Sequence, residues 1–285
     1  MHNRTTTALS LGIAILCSGT EAQELIYAVT DNQTLITWNS DAPNSILSGR
    51  AITGFQSNER VSGIDFRPAT GELFAVGSFS NLYTIDVSTG AATQVGTTFS
   101  PGLNGSAFGF DFNPTIDRIR NVSNANQNLV LNPNTGSSTQ VTDLFFGPGD
   151  VNDGTDPNVV ASAYTNSFAG ATSTQLYGID TGLDILVTQA NSAGTLGTVG
   201  ALGIDMNETA AFDISGTTGI AYGTVQSVDF TRSLFWTVDL STGASTIIGE
   251  VGGGAMITAM TVVPAPSAAM IALTTVAFGL RRRTR

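Results

Sequence analysis

Three short segments set a carboxylate between apolar neighbours: Asp65 in GIDF, Asp111 in GFDF and Asp205 in GIDM. If the chain repeats around an axis, acids at one repeat position converge there. Converging carboxylates suit calcium, a hard cation that takes six to eight oxygen ligands. The same acids can instead accept hydrogen bonds from the turn that follows, as Asp does before Arg-Pro or Asn-Pro. A second acidic set lies in GDVNDGTDPN, where Asp150, Asn152, Asp153 and Asp156 alternate around Gly154. That spacing fits a calcium loop but lacks the bidentate Glu and the flanking helices of a helix–loop–helix site, and a polar turn also accounts for it. Arg118 and Arg120 share one face of an expected strand, with Asn124, Asn126 and Asn128 just after them. They could grip an acidic sugar or a carboxylate, or neutralise nearby Asp side chains.

The missing residue types narrow the chemistry further. The 285-residue chain has no lysine, its one histidine is His2 and its one cysteine is Cys17, both near the N-terminus. Beyond them there is no imidazole base or ligand, no thiolate and no Schiff-base amine, which removes histidine-based serine triads, zinc sites of the usual kind and thiol redox chemistry. Stability must come from packing, because no disulfide framework exists. The net charge of -11 offers no positive footprint for phosphates, so nucleic acid is excluded as a partner.

The elements that must position these acids are short strands. Residues 63–96, GIDFRPATGELFAVGSFSNLYTIDVSTGAATQVG, hold four apolar runs separated by clusters of Pro, Thr, Gly, Ser and Asn. This is the pattern of consecutive antiparallel strands. A second unit begins at Phe108, a third near Val159 and a fourth at Gly203, a spacing of about 45 residues that matches four-stranded propeller blades. The first unit, from Leu25, lacks a first strand, and the last run, Ala255 to Pro264, lacks the other three. Pairing the two closes a ring. The expected fold is an all-β propeller of five four-stranded blades, whose closure removes exposed sheet edges. The aromatics Tyr27, Phe74, Tyr83, Tyr177, Tyr222 and Trp236 fall on strand runs and read as core between blades.

The two ends give an address. Residues 1–22 carry Arg4, an apolar run from Ala8 to Cys17 and small residues up to Ala22, the form of a secretory signal peptide. Residues 23–263 make the domain. In 264–285 a Pro-Ala-Pro turn precedes a thirteen-residue apolar segment, Ala268 to Leu280, and an arginine cluster. Thirteen residues fall short of the roughly 20 that cross a bilayer, so a transient membrane anchor is expected. The tail resembles the PEP-CTERM sorting signal of Gram-negative surface proteins, with Pro264-Ala265-Pro266 in place of Pro-Glu-Pro. That resemblance implies an exosortase-type processing enzyme as partner and the cell surface or extracellular matrix as destination.

Several separated blocks, ERVSGIDFRPATGELFAVG, AFGFDFNPTIDRIRNVSNANQNLVLNP, DVNDGTDPNVVASAYTNSFAGATSTQLYGID and LDILVTQ, resemble the bacterial domain-of-unknown-function family 4394. The resemblance implies a secreted, propeller-like domain and no established activity. Together these readings point to an exported, surface-sorted, non-enzymatic propeller that binds or scaffolds matrix material such as exopolysaccharide. The rival is a calcium-dependent propeller hydrolase or lactonase with carboxylates in the central channel, which needs no histidine.

Overall fold

The computed structural model describes residues 23–229 and 231–263. Five small antiparallel sheets surround one axis as a five-bladed propeller. The inner strands are Ile257–Val262 in blade I, Val61–Phe66 in II, Phe108–Asn113 in III, Val159–Tyr164 in IV and Ala211–Ile214 in V. Hairpins lead outward from the inner strands of blades II to V, and the turns carry the residues that such bends demand. Gly71 and Gly219 follow two of the inner strands with positive φ, and Asp117 takes the same left-handed conformation in blade III.

Closure is the strand pairing expected from the sequence. Ile26 pairs with Val262 and Ala28 with Met260, so the last inner strand joins Leu25–Thr30 of the first blade. Two boundaries differ from expectation. Blade IV gains a fifth strand, because Phe145–Phe146 adds in parallel to Thr195–Ala201. Blade V begins at Ala211, not Gly203: Leu202 to Thr209 form a connecting loop, with Gly203 at positive φ and the Asn207 side chain capping Thr209.

Five apolar clusters fill the five spaces between neighbouring blades. Trp38 and Phe235 meet edge-on between blades I and V, and Phe74 meets Phe112 between II and III. Burial of each such side chain stabilises the fold by about 1.5–3 kcal/mol, so packing against its two neighbours holds each blade in the ring. Near the axis the strands come close enough that side chains must shrink. The second position before each axial residue is Gly63, Gly109, Ala161, Ala211 or Ala259. A Cβ on Gly63 would lie 2.5 Å from that of Phe110, so this approach of blades II and III requires glycine.

Candidate functional site

The inner strands bring Asp65, Asp111 and Asp213 together on the axis, with one oxygen of each within 4.8 Å of the others. All three are only 2–3% exposed. Thr261 of blade I and Ala163 of blade IV complete a ring of five equivalent positions. The carboxylates link successive blades, because an innermost strand has one edge without a sheet partner and its N–H groups must find acceptors. Phe112 N–H donates to Asp65 Oδ2 at 2.7 Å, Tyr164 N–H to Asp111 Oδ1 at 3.1 Å and Val262 N–H to Asp213 Oδ2 at 2.6 Å. Each acid thus holds the residue that follows its counterpart in the next blade.

Three charges cannot coexist there unaided. Burial, then repulsion from Asp213, raises the Asp65 carboxyl well above the ordinary range. Burial, then Asp65 and Asp213, does the same to Asp111. Burial pushes Asp213 up to about 6, and a hydrogen bond from the Asp111 carboxyl favours its charged form. The Thr261 hydroxyl lies 2.9 Å from both Asp65 Oδ1 and Asp213 Oδ2. Its single proton serves only one of them, so the other contact is completed by a carboxyl proton. The ring is therefore built to hold protons between its acids. As a cation site it offers one oxygen from each of Asp65, Asp111 and Asp213 plus the Thr261 hydroxyl, fewer than calcium's usual six to eight.

Asp205 is not part of this ring. It is exposed in the loop before blade V, and Asp213 stands in the place expected of it. The distinguishing signal lay in the turn: Asp65 precedes left-handed Gly71 by six residues, Asp111 precedes Asp117 and Asp213 precedes Gly219 by the same interval. Asp205 has no such turn behind it.

The acids of the 149–158 loop do not gather either. Asp150 accepts from Thr198 N–H at 2.7 Å, from the Thr198 hydroxyl and from Asn152 N–H, which holds its carboxyl below the ordinary range although partial burial opposes this. Asp153 accepts from Gly149 N–H, Asp156 from the Asn126 amide, and the Asn152 amide donates to Thr198. Asp150 and Asn152 thus fasten the loop to blade IV, and Asp156 fastens it to blade III. The arginines also separate. Arg120 is buried and donates to Tyr164 Oη, Asn128 Oδ1 and Ser192 Oγ, while Arg118 donates to the Asp117 carbonyl. The acid beside them, Asp117, pairs instead with Arg67 of blade II.

One concave surface was not legible beforehand. The starts of all five inner strands, at Ser62, Phe108, Val160, Ala210 and Thr258, surround a mouth of about 330 Å³. Arg60 stands on its rim, and Glu208 stands there too, bonded to the Asn124 amide and the Ser106 hydroxyl. Below, the axis narrows to a cavity of about 20 Å³ lined by Gly63, Gly109 and Ser162, room for about one water. None of the three axial acids lines either the mouth or this cavity.

The family model described as "Domain of unknown function (DUF4394)" matches residues 34–261. No curated protein matches the chain. Among solved structures, a chain in the crystal structure of a nidogen/laminin complex is similar over 85% of this chain and 98% of that one, with a TM-score of 0.52 at 11% identity. TolB from Acinetobacter baumannii is similar over 85% of this chain and 67% of that one, with a TM-score of 0.45 at 13% identity. The first likeness is one of fold. Among the described residues no helix is long and apolar enough to cross a membrane, and the expected anchor at 264–285 lies outside them, as do the expected signal peptide at 1–22 and its cut.

Proposed function

The chain belongs to the DUF4394 family, and from its propeller we propose a non-enzymatic binding module, exported and held at the cell surface, that takes a matrix glycan at the mouth of the central channel. The carrying observation is the mouth itself, a concavity of about 330 Å³ to which every blade contributes. Its lining includes the hydroxyls of Ser62, Ser78, Ser106, Thr209 and Thr258, with half-buried Phe108 among them. Hydroxyls that both donate and accept, beside an aromatic face, match the alternating polar and apolar surfaces of a pyranose. Export and surface sorting rest on the signal-like start and the tail that resembles a sorting signal.

The hydrolase alternative needs ionisable groups that touch substrate. The three axial acids are 2–3% exposed and already bonded to backbone N–H groups, which favours a binding role. The test is a calorimetric titration of the purified full-length protein with exopolysaccharide oligomers. Binding without turnover is expected, weakened about tenfold in Phe108→Ala, the loss of roughly 1.4 kcal/mol of stacking. Absence of binding to any saccharide, or release of a hydrolysed product, would overturn this reading.

A further inference from the structure

Resting on the mouth as a glycan site, we infer that Arg60 makes it selective for saccharides that carry a carboxylate. Arg60 is the one cation lining this concavity, in a chain whose net charge is -11. The ion pairs among the described residues are Arg67 with Asp117 and Arg232 with Glu250, and neither involves Arg60. Its backbone is clamped from both sides, since Ser78 Oγ accepts from Arg60 N–H at 3.1 Å and Ser78 N–H donates to the Arg60 carbonyl at 2.8 Å. Its Nη1 donates to the Asp31 carbonyl at 2.7 Å. The guanidinium is thus bonded to a neutral acceptor, and Arg60 borders both the mouth and a second concavity that it lines with Asp31, Asn58 and Glu59.

A guanidinium fork matches a planar carboxylate through two parallel hydrogen bonds. The surrounding negative charge favours a singly charged group over a phosphate, which carries about −1.5 to −2 near neutrality. Ser62, Ser78 and Thr258 line the same mouth and carry hydroxyls, and Phe79, 47% exposed, adjoins Ser78 in the chain. Glu208 fixes the ligand's polarity, because it repels the carboxylate toward the Arg60 side. A uronic acid residue is the unit that fits.

The experiment titrates the full-length protein with an oligouronate, a neutral oligosaccharide of equal length and a sulfated one. The oligouronate is expected to bind most tightly. Arg60→Gln should cut the preference for the oligouronate over the neutral sugar about tenfold, and Arg60→Lys, which keeps charge without the fork, should fall between. Equal binding of neutral and uronate oligomers with no effect of Arg60→Gln would overturn the selectivity and leave the glycan site standing. Preference for the sulfated oligomer would overturn the carboxylate assignment. Failure of all three to bind would overturn the glycan site as well. Unchanged melting of Arg60→Lys identifies any loss as a binding effect.

Discussion

At the scale of single residues, the axial acids do structural work that raises the pH at which they ionise. Asp65, Asp111 and Asp213 satisfy backbone N–H groups that no strand can reach, and losing such a bond leaves a buried donor at a cost of about 1–3 kcal/mol. The means are unusual because the acids are one another's neighbours. Their folded pKa values lie above the ordinary 3.8. The folded chain therefore binds more protons than the unfolded one above that value. The ring's contribution is complete below pH 3.8 and is lost as pH rises through the folded pKa values, about 6 for Asp213 and raised well above the ordinary value for its partners. Acids on exposed turns act oppositely: hydrogen bonds from Ser88 lower Asp86 and those from Ser241 lower Asp239, which favours folding as pH rises through the acid range. Thermal melting should accordingly be higher at pH 5 than at pH 7.5. Asp111→Asn keeps an acceptor for Tyr164 N–H and gives Asp213 a permanent donor. It should raise the melting temperature at pH 7.5, by about 2–4 °C per kcal/mol gained, and flatten the pH dependence. A variant less stable at both pH values would show that Asp111 acts as an anion, as a cation ligand must, and calcium added to the parent protein should then raise its melting temperature.

At the scale of elements, the closing strand carries more than its length implies. Removing Ile257–Val262 unpairs Leu25–Thr30, takes Ile257, Met260 and Val262 from the core between blades I and V, and strips Asp213 of both Val262 N–H and Thr261. Three buried side chains at about 1.5–3 kcal/mol each already approach the 5–15 kcal/mol of a typical domain. The shortened chain should lose its near-ultraviolet circular dichroism and its cooperative melting; retention of both would mean the ring stands without closure. This strand was legible because blade I lacked a first strand and the C-terminal run lacked everything else. Much of the remaining architecture was legible for the same reason, since each hairpin repeats apolar alternation and a turn. Register in blade V was not. GIDM copies GIDF more closely than AFDI does, yet only Asp213 stands six residues before a left-handed turn, and backbone geometry rather than local likeness sets the strand. The ring's other members escaped notice because Thr261 and Ala163 carry no acid to mark them. The mouth escaped because it is assembled from the starts of five distant strands, few residues at a time.

At the scale of the molecule, the two faces of the propeller differ in what they offer. The mouth lies where the inner strands begin, at Thr258 in blade I, and the described chain leaves at Val263, past the other end of that strand. The entering chain is there too, since Val263 N–H donates to the Leu25 carbonyl and Glu24 accepts from Ser215 Oγ of blade V. A six-residue strand spans about 17–20 Å, so a tether through 264–285 would hold one face to the envelope and turn the mouth toward the medium. That orientation is what a receptor for matrix glycan requires, because polymer approaches from outside. The sequence supplies a clean way to measure it. Cys17 is the chain's one cysteine, so in a Cys17→Ser background one introduced thiol is a unique label. Ser78→Cys places it at the mouth and Asp41→Cys at the opposite face, both at exposed positions. In the purified protein, a bulky membrane-impermeant maleimide should label the two at similar rates. On intact cells the mouth position should react as in solution, with the other slowed at least severalfold by the surface beneath it. Equal labelling on cells would show that the tail does not fix this face downward, and protection of the mouth instead would place the glycan site against the envelope, where a matrix polymer could not enter it.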